Sequence, residues 1–364
     1  MTQPPCSSPE PAEYEALIRG AREVADDLLE HYLGLPVQKA LELHTRGGFD
    51  LAVARLAAEL RRETTQADTE ALRIAVRVLD VDWRQTSAEQ RRQLVAQAMV
   101  EAGRATAPVP KRVKVVFGRK ADQILAATRR DARGRQRLSI GADFNAVDRR
   151  VVTHAASSQA LFVTDEYGRR YDEAGQRARS VVARGLEQGL GRDDIAVDLQ
   201  EQLGQVLIGR SARYWDLVAS AFTASTRSYG QMSSYAEAGI ERYRVSAVLD
   251  EATTNACRFL DGKVLSVRAA LDRFDQVERL TDPAAIKGAL PWVREGIDEA
   301  TARRGLFITR GEERHQLAEV VRSGTGARDD RGEFARGMAE SQLDALGIGL
   351  PPYHGHCRTT TWAL

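Results

Sequence analysis

The sequence predicts an α+β protein, with mostly helical N-terminal and middle regions and a small mixed α+β C-terminal domain. Composition is the first observation: aromatic residues make up only 6% of the chain and charged residues 28%, a mix typical of a helix-rich globular protein. Helical periodicity is the second, since it recurs through most of the first two-thirds of the chain. Strict alternation from Tyr243 to Leu249 is the third, and it predicts a half-buried strand.

Residues 1–107 are predicted to form a helical N-terminal domain. Apolar residues at helical spacing indicate an amphipathic helix over residues 11–32. We expect Gly47–Gly48 to interrupt the next helix, and Thr86–Glu89 to open another as a capping box. The run Thr106–Pro110, with two prolines, predicts a short, stiff linker at the end of this domain.

Residues 111–239 are predicted to be a basic segment followed by a helical middle region. The alternation of apolar and polar residues over 113–117 indicates a short strand. Helical periodicity returns over residues 171–186, and a long helix is expected over 211–237. Gly239 is placed to end that helix, because glycine readily adopts the left-handed conformation that follows a helix terminus.

Residues 240–364 are predicted to form the mixed C-terminal domain. Besides the alternating strand, residues 305–309 (GLFIT) indicate a second strand. The Gly-, Arg- and Asp-rich run at 322–337 is expected to be a mobile loop. Pro351–Pro352 favours an extended backbone, which suits a final segment laid along a sheet edge.

Charge and cysteine content exclude several classes of protein. The formal net charge is +1, so any nucleic-acid binding has to be local. Three cysteines are too few for a disulfide framework and indicate a reducing compartment. No stretch has the apolar length of a membrane span, and residues 1–17 lack the apolar core of a secretory signal. We therefore expect no membrane partner.

One local segment is strongly basic. Between Lys111 and Arg137, ten Lys and Arg residues stand against two Asp residues. Such a cluster can neutralise phosphates without sequence preference, or it can be a solvated helix face balanced by acidic neighbours. The candidate phosphate contacts are Lys111, Arg112, Lys114, Arg129, Arg130, Arg133, Arg135 and Arg137.

Two segments far apart in sequence carry the most specific pattern. The first reads VLDEATTNAC over residues 248–257 and continues to an Asp-Gly pair, a tight-turn dipeptide; the second reads PPYHGHCR over residues 351–358. Asp250 and Thr253 are placed to form an Asx/ST-type turn at the end of the predicted strand. The residues singled out are Asp250, Thr253, Cys257, Asp261, Gly262, Pro352, His354, Cys357 and Arg358.

Together with residues 226–240, these segments resemble the signature of the Mu F-like head-morphogenesis family, the minor head proteins of tailed bacteriophages. That signature runs roughly D-x-x-T-C-x-x-C-x-x-L-D-G and later P-P-x-H-x-x-C-R-C. The resemblance covers about residues 175–265 and 350–362. Thr254 and Thr359 depart from it, because each stands where the family often has cysteine.

The resemblance implies a structural function and no enzymatic activity. It predicts a Mu F-like domain over residues 240–364 in a minor head protein of a tailed phage or prophage-derived particle. Such a protein associates with the portal during capsid assembly, remains in the head interior of the virion, and can assist DNA packaging or ejection. The implied partners are the portal protein, the major capsid protein and packaged double-stranded DNA, and assembly takes place in the host cytoplasm.

A second function stays open at this point. Mu F-like domains also occur attached to toxins, so the N-terminal region could be a particle-delivered effector. Residues 1–110 carry no clustered His, Asp and Glu, no phosphate-binding Gly-rich loop and no G-x-S-x-G, which favours the head protein. Cys257 with a nearby His is a candidate nucleophile, but no protease signature accompanies it.

Two thiols and two imidazoles form a candidate zinc site: Cys257, His354, His356 and Cys357. The alternative is a pair of free buried thiols with a hydrogen-bonded histidine that holds the C-terminal segment to the core. The last three candidates are crowded, and Thr254 and Thr359 replace the cysteines that would complete a cysteine-rich site. We therefore expect no bound cofactor. Instead, we expect two free buried thiols and a hydrogen-bonded histidine that holds the C-terminal segment to the core.

Overall fold

The computed structural model describes residues 41–209, 211–327 and 329–364, of which residues 42–364 form one compact unit. The helix predicted over residues 11–32 lies outside the described residues. The long helices come first in the chain: α1 (Arg46–Leu79), α2 (Ala88–Thr106), α3 (Val109–Gly134), α4 (Ala146–Glu187), α5 (Arg192–Gly204) and α6 (Ser211–Glu237).

Short helices and two antiparallel sheets follow α6. The helices are α7 (Asn255–Leu260), α8 (Val267–Glu278), α9 (Pro283–Ala289) and α10 (Glu340–Leu346). The strands are β1 (Arg242–Ser246), β2 (Val264–Ser266), β3 (Arg294–Ile297), β4 (Arg304–Arg310), β5 (Glu313–Arg322), β6 (Glu333–Ala335) and β7 (Thr360–Ala363). The predicted α+β fold is confirmed.

The first sheet has the order β2-β1-β7, and the second is a meander with the order β3-β4-β5-β6. β1 occupies the centre of the first sheet, with Tyr243 opposite Leu265 of β2 and Ala363 of β7. The strand predicted at 305–309 is β4. The prediction that the final segment follows a sheet edge is confirmed by β7, which pairs along β1.

Two apolar clusters hold the unit together. One fills the space between α1, α2, α4 and α5 and includes Trp83, Val95 and Val181. The other covers the sheets and includes Tyr235 of α6 and Val245 of β1. α6 packs against α1 on one side and against α8 and β7 on the other, so the boundaries predicted at residues 107–111 and 239–240 both fall inside one compact unit.

The short strand predicted over residues 113–117 is wrong, because this segment lies in α3. Val113, Val116 and Phe117 are buried, whereas Val115 is 69% exposed. Burial at positions i, i+3 and i+4 is the helical pattern, and it differs from the period of two that a half-buried strand requires.

Both predicted helix interruptions coincide with helix ends, but more of their residues are helical than expected. Gly47 and Gly48 lie in the first turn of α1, where the Thr45 hydroxyl caps the Gly48 N–H at 3.0 Å. A first turn tolerates glycine because its N–H groups need no intrahelical partner. The predicted linker Thr106–Pro110 is a direct junction between α2 and α3, with Pro110 in the first turn, where its missing N–H costs nothing.

The predicted mobile loop over residues 322–337 is held by Asp330 in the described part of this segment. Its carboxylate accepts hydrogen bonds from the Arg322 guanidinium and from the N–H groups of Thr325 and Gly332. β6 then pairs with β5. Asp330 therefore orders a segment whose composition alone indicates a loop.

The predictions for helix ends agree with the structure more closely. α6 has the predicted bounds, and Gly239 follows it with a φ of +72°, the left-handed conformation expected after a helix terminus. The predicted capping box is present one position later, between Ser87 and Gln90. Within the described residues, no helix has the length and apolarity needed to cross a bilayer.

Candidate functional site

The two halves of the motif meet in space. The Asp250 carboxylate accepts hydrogen bonds at 2.8 and 3.1 Å from the guanidinium Nη2 of Arg358, and both side chains are largely buried. β7 follows Arg358 directly and pairs with β1, the strand that precedes Asp250. The sequence separates these two residues by more than a hundred positions, and the fold makes them an ion pair.

The first half of the motif is a pair of polar turns. Asp250 Oδ1 accepts hydrogen bonds from the Ala252 N–H at 3.0 Å and from the Thr253 hydroxyl at 2.9 Å, as predicted for an Asx/ST-type turn. Asp261 accepts a hydrogen bond from the Ala247 N–H at 2.9 Å, and Gly262 has a φ of +81°. These turns fix the backbone on either side of α7.

The charge of Asp250 is stabilised by its partners. Burial alone raises the pKa of this carboxyl, but the Thr253 hydroxyl and the positive charge of Arg358 outweigh burial and hold the pKa below its usual range. Asp250 is therefore ionised wherever the protein is folded near neutral pH, and it holds the second half of the motif through Arg358.

Three of the four predicted metal ligands lie together. The Cys257 Sγ lies 3.2 Å from the His354 Nε2 and 3.7 Å from the Cys357 Sγ, and the three ligand atoms all lie within 4.8 Å of one another. Both thiols are buried and His354 is half-buried. The prediction for His356 is wrong, because its side chain is exposed and lies outside this group.

The two thiols differ in acidity because they share a hydrogen bond. The contact with Cys357, together with burial, raises the pKa of Cys257 well above its ordinary value. Burial also raises the pKa of Cys357, but the hydrogen bond with Cys257 and the nearby His354 outweigh it and lower that pKa to about 5. The pair is therefore predisposed to hold at least one thiolate.

Thr254 and Thr359, the two departures from the family signature, have structural roles. The Thr254 hydroxyl caps α7 by accepting from the Cys257 N–H at 3.4 Å. Thr359 is buried, and its carbonyl accepts a hydrogen bond at 2.6 Å from Arg227.

Sequence reasoning missed the role of α6 as the anchor of the C-terminal segment. Arg227 is buried, and its guanidinium donates to the carbonyls of Leu43, Arg358 and Thr359 at 2.7, 3.1 and 2.6 Å. Burial lowers its pKa to about 10. Gln231 adds bonds to the Thr360 hydroxyl and the Thr361 carbonyl. The available signal was the i, i+4 spacing of Arg227 and Gln231, which puts two long polar side chains on one face of the predicted helix.

The predicted phosphate contacts differ in exposure: two of the eight side chains are packed against other residues, and six are exposed. Arg129 is wrong as a surface contact, because it is 2% exposed and pairs with Asp148 at 2.7 Å and Glu237 at 2.9 Å. Arg135 is half-buried, pairs with Asp131 and stacks over the Trp362 ring at 3.9 Å. The other six side chains are exposed: Lys111, Arg112, Lys114, Arg130, Arg133 and Arg137.

An apolar cleft of about 380 Å³ lies between α4, α6, α9 and the second half of the motif. Phe162, Leu217 and Trp292 line it, and Pro351 closes one side. The Tyr214 hydroxyl, also in its wall, is buried and has no hydrogen-bond partner among the residues that the structure describes. The cleft is thus an apolar surface beside the motif. It is separate from the cluster of Cys257, His354 and Cys357, which we call the Cys–His group.

Comparisons with protein-family models, with curated proteins and with solved structures find no match to this chain. The motif residues and their geometry therefore carry the functional argument.

Proposed function

We propose that this chain is a minor structural protein of a phage head or prophage-derived particle, bound to the portal during assembly. The observation that supports this function is the meeting of the two motif halves through Asp250 and Arg358. A motif whose parts are far apart in sequence but joined in the fold is a structural unit. That is the behaviour expected if the resemblance to Mu F-like proteins reflects a shared domain.

A structural role suits the Cys–His group better than catalysis does. Cys257 and Cys357 are 3% and 0% exposed, so a substrate has little access to either thiol. Reactive cysteines are accessible as well as acidic. In this proposal the group holds the C-terminal segment in place and attacks no substrate.

The proposal includes contact with packaged DNA. Six exposed basic side chains lie in two sets, one near each end of α3, which gives both places a local positive charge despite a net charge of +1. Contacts between phosphates and such side chains are independent of sequence, as is appropriate for a protein beside a packaged genome.

Co-expression with the portal protein encoded in the same genome tests the main proposal. We expect the two proteins to co-purify and to migrate as one complex in size-exclusion chromatography at micromolar concentrations. Arg358→Gln should weaken the complex, because it separates the two motif halves. The matched control is Arg268→Gln, which removes the same charge from a side chain that is 91% exposed.

Two results would overturn the proposal. One is a chain that stays monomeric beside its portal at these concentrations while giving the circular dichroism spectrum of a folded helical protein. The other is equal loss of the complex with the Arg358 and Arg268 variants, which would make binding a matter of net charge alone.

A further inference from the structure

Two of the three distances among the clustered ligand atoms are close to those of a tetrahedral metal site. Zinc–sulfur and zinc–nitrogen bonds of about 2.3 and 2.1 Å place two thiolates about 3.8 Å apart and a thiolate and an imidazole about 3.6 Å apart. The observed distances are 3.7 Å between Cys257 Sγ and Cys357 Sγ and 3.2 Å between Cys257 Sγ and His354 Nε2. The first distance agrees with the tetrahedral value within about 0.1 Å and the second within about 0.4 Å, and the third pair, His354 and Cys357, lies within 4.8 Å.

Charge balance favours a divalent ion at this place. Two thiolates and a neutral imidazole carry a charge of −2, which a Zn²⁺ ion cancels, so the loaded group can stay buried without an uncompensated charge. The nearby cations are already engaged: Arg227 donates to backbone carbonyls and Arg358 pairs with Asp250. Binding releases the remaining thiol proton to solvent.

The group of three ligands borders a cleft that is open to solvent. His354 lines this cleft together with Thr254, Ala252 and His356, whereas both thiols lie on the buried side of the group. A water molecule from this cleft can therefore complete a tetrahedron without any further protein ligand.

We propose that Cys257, His354 and Cys357 bind one zinc ion, with solvent as the fourth ligand. The ion joins a residue of the first motif half to two residues of the second. This differs from the expectation drawn from sequence, where Thr254 and Thr359 counted against a metal. Three ligands meet without them, and the soft thiolate pair favours zinc over hard cations such as Mg²⁺.

Metal analysis of the full chain tests this site. We expect about one zinc per chain when the protein is expressed in zinc-supplemented medium. Cobalt added to the metal-free protein should give the intense visible absorption of a tetrahedral site and a near-ultraviolet thiolate-to-cobalt band. Cys257→Ser, Cys357→Ser and His354→Ala should each lower the metal affinity by more than about 100-fold.

His356→Ala is the matched control, since it removes an imidazole two positions from His354 that lies outside the group. We expect it to keep the wild-type stoichiometry and cobalt spectrum. Equal loss in the His354 and His356 variants would overturn the ligand assignment. Wild-type protein that has the circular dichroism spectrum of a folded chain, contains no zinc and gives no tetrahedral cobalt spectrum would overturn the site. Portal binding is measured separately, so the two proposals can fail independently.

Discussion

Asp250 joins local turn structure to a distant segment. It accepts hydrogen bonds from Ala252 and Thr253 within its own turn and from Arg358 of the second motif half. The ion pair is largely shielded from solvent, so the loss of either partner leaves the other with a more exposed partner only, Arg46 for Asp250 and Asp50 for Arg358. Removing one member of a buried pair typically costs about 3–5 kcal/mol.

Asp250→Asn tests this role through its dependence on pH. The folded-state pKa of Asp250 is below the unfolded value, so its stabilising effect is complete above that unfolded value, about 3.9, and disappears as the pH falls through the folded pKa. At pH 7 we expect the free energy of unfolding to drop by about 3 kcal/mol. Urea denaturation should show that the difference in the free energy of unfolding between the wild type and the variant becomes smaller below pH 4.

The control for that experiment is Asp272→Asn, in a well-exposed pair with Arg268 on α8. We expect a change within about 0.5 kcal/mol. If the Asp250 variant were destabilised by the same amount at pH 3 and pH 7, the effect would come from the shape of the turn, and the charge would have no part in it.

At the residue level, the sequence predicted what depends on near neighbours. The Asp250–Thr253 turn and the glycine after α6 follow from local chemistry, and both are present. The burial of Arg129 could not be predicted, because one of its two carboxylate partners, Glu237, is 108 positions away. The partners of Arg227 are backbone carbonyls, which have no signature in the sequence.

Among the elements, α6 connects the helical part to the sheets. Its buried side chains Arg227, Gln231 and Tyr235 all donate to the segment from Arg358 to Thr361. This arrangement makes β7 an edge strand of the first sheet that is also hydrogen-bonded to Gln231 and Tyr235 of α6, while Arg227 holds the two residues before it. The predicted final strand is thus correct in position, but it has a second function that its short length did not indicate.

Deleting residues 359–364 should destabilise the whole compact unit. The deletion removes β7 and one of the three carbonyl partners of the buried Arg227 guanidinium, and a hydrogen bond to a charged group contributes about 1.5–3 kcal/mol. We expect a much lower melting temperature by circular dichroism, with the helical and sheet signals lost together. Deleting Leu364 alone, whose side chain is half exposed, should change little.

Unchanged melting of the longer deletion would show that β7 adds no stability. Separate loss of the sheet signal, with helices α1 and α2 melting at the original temperature, would support the independent N-terminal domain that the sequence predicted. The second result would also mean that contacts between α6 and its neighbours contribute little to the stability of α1.

On the scale of the whole molecule, net charge conceals a local asymmetry. The chain is close to neutral overall, yet exposed basic side chains occur near both ends of α3. Sequence reasoning found this segment from charge counting alone. It could not separate the exposed residues from Arg129, because the counting of charges does not show which side of a helix is packed.

The salt dependence of DNA binding tests the two basic clusters at the ends of α3. The first cluster is Lys111, Arg112 and Lys114, and the second is Arg130, Arg133 and Arg137. Replacing Lys111, Arg112 and Lys114 with Gln should lower the log–log salt slope for duplex DNA by about 0.9 per lost phosphate contact, hence by up to about 2.7. The same change at Arg130, Arg133 and Arg137 tests the second cluster. The control with equal charge loss is Arg62→Gln, Arg268→Gln and Arg279→Gln, all exposed side chains elsewhere.

An equal reduction of the slope in the control and in both cluster variants would mean that DNA responds only to net charge. An unchanged slope in every variant would make α3 a solvated helix face, and the DNA part of the proposed function would be lost.

The position of β1 also determines the order in which the molecule can be completed during synthesis. One neighbour, β2, follows it closely, whereas β7 is translated more than a hundred residues later. At roughly 5–20 residues per second, one edge of β1 stays without its partner for roughly 5–20 seconds. An unpaired edge is a template for aggregation, so chains released before residue 360 retain that hazard permanently. Only translation through the last strand gives a chain whose central strand is protected on both sides.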